Sequence, residues 1–441
     1  MSAFGKGGGV QTTPAPAQPE RLLRESPQRW WLMVLLTTAM LACYAHRGAL
    51  SPAAPFMIRE FHLSPAVMGL LLSAFFWTYS LMQVPAGWVV DRFGVRRAYA
   101  YGFAVWSLAS AFTGFAGSLA ALIVVRMLVG IGQSVSFPAS ARAVANSFQD
   151  RERGAVTGAY LTGVRLGQAL VTAVGAFFLA TYGLKLYFLI IGLAPAVWLL
   201  PWLLFLRKWE TPRRDGAPAP APERAAAADG GARPPLRFLQ GLALMRHRSV
   251  LGIFLGFFAY DYAWYVYVTW LPGYLVMERK FTPREMGIYS SIPFVAMSVV
   301  ILLAGLLSDW LVRAGRSETW ARKAFIAIGL AIACLIVPAG LVEDKMTAVW
   351  LLTIALCGLG IASPNTWTLT QAVCSRRLVG TVSGIQNFGG NLGGILAPAL
   401  TGYIAHTTHS FALALSITGG ILVGGILAYL CLITRRVEID S

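Results

Sequence analysis

Acidic residues are scarce in this chain: 19 Asp and Glu stand against 36 Lys and Arg in 441 residues, and only 12% of the sequence is charged while 56% is hydrophobic. That balance is too apolar for a soluble two-domain enzyme and marks an integral membrane protein. The five cysteines, Cys43, Cys334, Cys357, Cys374 and Cys431, lie in or beside apolar runs without ligand spacing, so they imply no disulfide framework and no metal, and read as packing residues. The sequence has no metal-ligand cluster, nucleotide-binding loop or nucleophile elbow, which argues against an enzyme, a cofactor and ATP-driven transport. The alternating ten-residue segments of a transmembrane barrel are missing. No short apolar core with a small-residue exit precedes the first long run, so a cleavable signal peptide is not expected.

The apolar residues are gathered into runs of the roughly 20 residues that a helix needs to cross a bilayer. Twelve such runs begin near Trp31, Pro65, Ala98, Leu119, Gly154, Leu184, Val250, Pro283, Ala324, Met346, Gly380 and Phe411. The fold expected is therefore an all-α membrane protein with both termini on one side. Most Lys and Arg fall in segments assigned to the cytoplasm when the N-terminus is placed there, the positive-inside pattern of an inner-membrane protein. Because these residues are spread over every cytoplasmic loop, the net charge of +17 does not point to nucleic acid.

Residues 211–235 are rich in Pro, Ala, Gly and charge, and divide the runs six and six. The expected organisation is a disordered cytoplasmic N-terminus (1–29), a first bundle (30–206), a cytoplasmic linker (207–247), a second bundle (248–434) and a cytoplasmic tail (435–441). The halves repeat: Gly87-Trp-Val-Val-Asp91-Arg92-Phe-Gly94-Val-Arg96-Arg97 follows the second run, and Gly305-Leu-Leu-Ser-Asp309, then Arg313, Arg322 and Lys323, follows the eighth. At a similar offset, Gly158, Gly163, Arg165 and Gly167 align with Gly384, Gly389, Asn391 and Gly393. Nearly equal offsets imply one duplication.

Three arginines, Arg47, Arg126 and Arg165, lie deep inside these runs. A mid-helix arginine costs roughly 2.5–3.5 kcal/mol even on mild insertion scales, so each needs a wet cavity or a partner. Tyr44, Arg47 and Ser51 share a helix face, with His46 beside them, and Arg126 and Gln133 share another. Tyr79 and Gln83, then Thr162 and Gln168, and later Asn365, Gln371, Asn387 and Asn391 add polar groups on other spans. The glycines at 384–394 serve packing, site lining or both. The seventh run reads Tyr260-Asp261-Tyr262-Ala-Trp264-Tyr265-Val-Tyr267, and an interfacial aromatic belt does not explain Asp261. A carboxylate that deep pairs with a cation, faces water or is protonated. It is thus a satisfied pair between the halves, a proton carrier, or a gate.

The first loop resembles the signature of the major facilitator superfamily, and Arg126-Met-Leu-Val-Gly130 is similar to its fourth-helix arginine motif. The resemblance covers nearly the whole chain. It implies two pseudo-symmetric six-helix bundles and a conformational latch formed by Gly87, Asp91, Arg92, Gly94 and Arg96 with Asp309 and Arg313. Cys43-Tyr-Ala-His46-Arg47, the stretch from Tyr79 to Pro85, and Asn387-Phe-Gly-Gly-Asn391-Leu-Gly-Gly further resemble the anion:cation symporter family of bacterial sugar-acid and aromatic-acid permeases, similar to sialin-type organic anion transporters. That implies Arg47 and Arg126 on the substrate carboxylate, with Tyr79, Gln83 and Asn391 orienting it. Sugar-acid members carry acids where this chain has His46 and Gln133, and Arg165 and Asp261 are extra to their pattern.

The expected function is import of a small organic anion by alternating access and proton symport, by a monomer in a bacterial inner membrane. Arg47, Arg126, Arg165, Tyr44, Tyr79, Gln83, Gln133, Tyr260, Trp264, Tyr265, Asn387 and Asn391 are the expected substrate contacts, and Asp261 and His46 the proton-coupling candidates. The alternatives are an exchanger of phosphate esters, phosphate or nitrate, and a transporter-like sensor.

Overall fold

The computed structural model describes residues 26–207, 244–375, 378–434 and 437. Residues 1–25 of the expected N-terminal segment, 208–243 of the expected linker and all of the expected tail except 437 lie outside the described residues. The first half comprises α1 (Arg29–Gly48), α2 (Leu50–Glu60), α3 (Pro65–Phe93), α4 (Val95–Phe112), α5 (Leu119–Gln133), α6 (Ser136–Ser147), α7 (Asp150–Leu193) and α8 (Leu199–Arg207). The second comprises α9 (Arg248–Met277), α10 (Pro283–Arg313), α11 (Glu318–Ala333), α12 (Ile336–Leu341), α13 (Lys345–Val373), α14 (Val379–Thr408) and α15 (Ala412–Leu427). Among the described residues there is no strand, only an isolated bridge between Cys374 and Val437.

These helices make twelve crossings. Among the described residues nine continuous helical segments are long and apolar enough to span a bilayer. One of them, Glu152–Arg207, holds two crossings, and α4 and α14 supply the remaining two. The double segment bends at Gly183, whose φ of +73° suits a residue without Cβ, one position before the sixth apolar run. Four crossings are interrupted: α1 passes to α2, α5 to α6, α7 to α8 and α11 to α12. At each break a proline, Pro52, Pro138, Pro195 or Pro338, removes the amide that would bond the carbonyl four residues earlier. Helix starts are fixed by side chains: Ser64 accepts from the Val67 amide, Ser118 from Ala121, Thr282 from Glu285 and Asp344 from Thr347. All four lie at the same end of the molecule.

Within the first half α1 packs on α7, and α3 and α4 on α5; within the second α9 packs on α14, and α10 and α11 on α13. Between the halves α3 meets α14, α7 meets α10 and α2 meets α9. The first two contacts exchange when the halves are exchanged, as the repeated sequence requires. Glycines allow the close approaches: a Cβ on Gly163 would fall on the Thr37 carbonyl, and one on Gly393 would come within 2.8 Å of the Tyr262 amide.

The two ends of the inter-half seam differ. At the end bearing the four capped helix starts, Ser51 donates to the Thr269 carbonyl at 2.9 Å, Gly69 lies on the Pro398 carbonyl and Gly287 on Ala173 and Ala176. That end is shut. At the other end, a Cβ on Gly87, Gly154, Gly158, Gly305, Gly380 or Gly384 would meet nothing within 4 Å. Gly158 and Gly384, which the sequence repeat aligns with each other, therefore both face open space in this state.

Candidate functional site

Arg47, in the last turn of α1, is buried in a cage of rings. Its guanidinium carbon lies 4.4 Å from the Tyr44 ring centroid and 4.6 Å from those of Phe75 and Tyr79. Nε donates to Gln133 Oε1 at 3.1 Å and one terminal nitrogen donates to the Tyr44 hydroxyl at 3.1 Å, while the other has no partner. Gln133 is itself anchored, donating to the Cys43 carbonyl at 2.8 Å. Arg126 on α5 is equally buried, its Nε unpartnered, with its guanidinium carbon 5.6 Å from the Phe75 ring. Phe75 thus serves both arginines and stacks on Tyr79 with centroids 5.1 Å apart.

Among the described residues no carboxylate pairs with Arg47 or Arg126 within 4.0 Å. A desolvated cation–π contact supplies about 2 kcal/mol, whereas removing a guanidinium from water without a counter-charge costs several kcal/mol per ion. Two buried cations with free nitrogens are therefore incomplete without an anion.

Arg165 extends from α7 to the second half. Its guanidinium carbon lies 4.0 Å from the Trp264 ring centroid and a terminal nitrogen reaches the Ser363 hydroxyl at 3.5 Å. Asp261, the one acidic residue in a span interior among the described residues, is half-buried and makes no hydrogen bond or ion pair with a described residue. Arg165 does not form with it the ion pair that their charges allow. The Tyr260 hydroxyl is buried beside Arg165 and Ser363 without a hydrogen bond of good geometry. Tyr265 meets Phe76 of the first half edge-on at 4.4 Å. Asn387 and Asn391 share a face of α14 with Gly394, which packs on Phe76, so both asparagines look toward the first half. Gln83 is half-buried one turn beyond Tyr79, toward the open end.

Other expected residues lie elsewhere. His46 is buried away from the arginines, with ring nitrogens 2.6 Å from the Ala42 carbonyl and 3.3 Å from the Gly192 carbonyl and its ring edge toward Phe103. Gln168 is buried against Gly48 with both amide atoms unpartnered. Asn365 bonds the Ile361 carbonyl and accepts from Arg322 at 3.4 Å, so it belongs to the open end. There, Asp91 pairs with Arg142 of α6, and Asp309 with Arg322 of α11 at 2.6 Å. Arg313, expected in the latch with Asp309, donates to its own helix at the Asp309 carbonyl, while Arg322 reaches the carboxylate from the neighbouring helix. Arg92 is exposed, and Gly94 turns the chain between α3 and α4 with φ +81°. These ion pairs each lie inside one half, which fits an end at which the halves stand apart.

Sequence reasoning missed Phe75, Phe76, Ser363 and Gly390. Phe75 was within reach, one turn before Tyr79 on the same face. Ser363 and Gly390 carry no signal of their own, since their importance depends on what the opposing helix places against them.

Comparison with known proteins agrees with this architecture. The D-galactonate transporter of Escherichia coli O6:H1 is 33% identical over 427 residues, covering 94% of this chain and 98% of that protein. The probable galactarate/D-glucarate transporter of Escherichia coli K12 is 28% identical over 433 residues, covering 94% and 97%. A solved bacterial homologue of the human lysosomal transporter Spinster, inward-facing and unoccupied, superposes with a TM-score of 0.75 at 19% identity, covering 94% of this chain and 100% of that one. Residues 35–398 match the Major Facilitator Superfamily. With its twelve crossings, its repeated halves and its arginines buried between them, this chain belongs to the Major Facilitator Superfamily, and is a membrane transport protein rather than an enzyme.

Proposed function

We propose that this protein imports a small carboxylate of the sugar-acid class together with a proton, as a monomer in the bacterial inner membrane. The observation that carries the proposal is the pair Arg47 and Arg126, both buried, both with free nitrogens, both against the Phe75 ring and without a counter-ion among the described residues. A guanidinium offers paired donors that match a carboxylate. Tyr79, Gln83, Asn387 and Asn391 supply donors and acceptors for hydroxyls. The curated relatives, named for carrying galactonate and galactarate, support the same chemistry.

With both termini in the cytoplasm, as the distribution of Lys and Arg favours, the shut end is external and the open end cytoplasmic. The state described is then inward-facing. Alternating access requires the small-residue contacts at Gly69 and Gly287 to part while Asp91 and Asp309 engage the opposing half. Asp261 is the coupling group. Protonated, it leaves Arg165 free for an anion; ionised, it draws Arg165 and repels the anion. Proton and substrate thereby favour each other's binding, as linkage demands. His46, turned into the first bundle, plays no part in that exchange.

Uptake of labelled galactonate and galactarate into proteoliposomes, driven by an imposed pH gradient, tests the proposal. Arg47→Gln and Arg126→Gln should each reduce uptake at least tenfold while the protein still unfolds cooperatively. Undiminished uptake in both variants refutes the clamp. Accumulation indifferent to the gradient refutes symport. The alternative of phosphate-ester exchange is favoured only by the number of arginines, and phosphate counterflow would reveal it.

A further inference from the structure

We infer that the carried acid is a dianion, a hydroxylated dicarboxylate whose first carboxylate is held by Arg47 and Arg126 and whose second is held by Arg165 with Ser363. The inference rests on the proposed function and names the substrate within it.

Charge decides between one acidic group and two. The site gathers three guanidiniums, Arg47, Arg126 and Arg165, and one carboxylate, Asp261. When substrate and proton bind together, Asp261 is neutral. A monoanion then satisfies Arg47 and Arg126 between them and leaves Arg165 without a counter-charge. A second carboxylate removes that deficit. Any cation still in excess belongs with Arg47, whose three ring faces at 4.4–4.6 Å suit a retained positive charge.

Geometry points the same way. Arg165 is not consumed by Asp261, with which it forms no ion pair. It is held instead on the Trp264 ring and reaches Ser363 at 3.5 Å, beside the unpartnered Tyr260 hydroxyl. These three groups form a donor set, a guanidinium from the fifth crossing and two hydroxyls from the seventh and tenth, apart from the Arg47 clamp on the first and fourth. A molecule bonded at both sets bridges the halves. Between them Tyr79, Asn387 and Asn391 line the interface with polar groups suited to a hydroxylated chain. Because a monoacid and a diacid both occur among the relatives' named substrates, relatedness alone leaves the choice open, and the site makes it.

The test compares glucarate, gluconate, succinate and glucose 6-phosphate as ligands of the purified full-length protein, by calorimetry and by competition for uptake. Wild type should bind glucarate at least tenfold more tightly than gluconate. Arg165→Gln should reduce that preference to within threefold, and Arg165→Lys, which retains the charge, should keep most of it. Both variants are first shown to be folded by their thermal unfolding. Gluconate binding as tightly as glucarate, equal weakening of both acids by Arg165→Gln, or tightest binding of glucose 6-phosphate overturns the dianion assignment. The first two outcomes leave the carboxylate transporter standing. If none of the carboxylates binds folded wild type, the proposed function itself fails. Succinate separates the terms: binding equal to glucarate shows that the hydroxylated chain contributes nothing and overturns that part.

Discussion

Gly390 makes the space that Asp261 occupies: a Cβ on Gly390 would fall on the Asp261 carboxylate and within 2.8 Å of the Phe257 ring. Gly390→Ala must therefore displace the carboxylate proposed to couple transport to protons. Gly384→Ala, two turns nearer the open end, adds a methyl that meets nothing within 4 Å. Uptake driven by a pH gradient should fall severalfold in the first variant and stay at wild-type level in the second. Proteoliposome uptake at matched protein density measures both, and equal activity of the two would show that Asp261 tolerates displacement.

Gln133 is the hinge between Arg47 and the backbone, taking a bond from Arg47 Nε at 3.1 Å and giving one to the Cys43 carbonyl at 2.8 Å. Gln133→Leu keeps the volume but frees the guanidinium to rotate within its ring cage. A hydrogen bond to a charged group contributes about 1.5–3 kcal/mol, so substrate affinity should drop by roughly ten- to hundredfold at 1.4 kcal/mol per decade. Calorimetric titration with the substrate reads the change directly. An unaltered affinity would mean that the rings alone hold Arg47.

The sequence carried the crossings and the repeat because hydropathy and charge respond to the membrane itself, run by run. It carried Arg47 and Arg126 because a buried cation is conspicuous in an apolar helix. What it did not carry were partners chosen across helices. Gln133 shares a helical face with Arg126, yet bonds Arg47. Charge alone would let Arg165 pair with Asp261, but the position of the opposing half puts Trp264 and Ser363 beneath it. Arg313 is nearest to Asp309 along the chain, whereas Arg322 is nearest in space. Helical periodicity fixes a direction from one axis and says nothing of the facing axis.

The ion pairs of Asp91 and Asp309, aspartates at repeated positions at the open end, should differ in stability. Arg142 and Asp91 are 32% and 58% exposed, and an exposed pair contributes about 0–1 kcal/mol. Arg322 is only 8% exposed and also donates to Ser308 at 2.6 Å and Asn365 at 3.4 Å. Its loss leaves the buried Asn365 side-chain oxygen without a donor, at about 1–3 kcal/mol for such a group. Arg322→Ala should therefore lower the unfolding temperature in detergent clearly more than Arg142→Ala. Equal shifts would show that the second loop is no better anchored than the first.

The shut end depends on backbones in contact, so one added side chain should open it. A Cβ on Gly69 would lie 2.5 Å from the Pro398 carbonyl oxygen and 3.2 Å from Gly402 Cα, both backbone atoms that cannot swing aside. Gly69→Val should therefore force α3 from α14 and shift the population toward the state open at this end. A few kcal/mol suffices, since a change of about 5.5 kcal/mol carries a two-state equilibrium from 1:99 to 99:1. The reporter is a cysteine at Ser51, which is buried and bonded to the Thr269 carbonyl at 2.9 Å. An impermeant maleimide applied from the side of the shut end should label Ser51→Cys faster in the Gly69→Val background than in its absence, above the signal of the five native cysteines. Unchanged labelling, with the double variant folded, would place the hinge of opening elsewhere than at this contact.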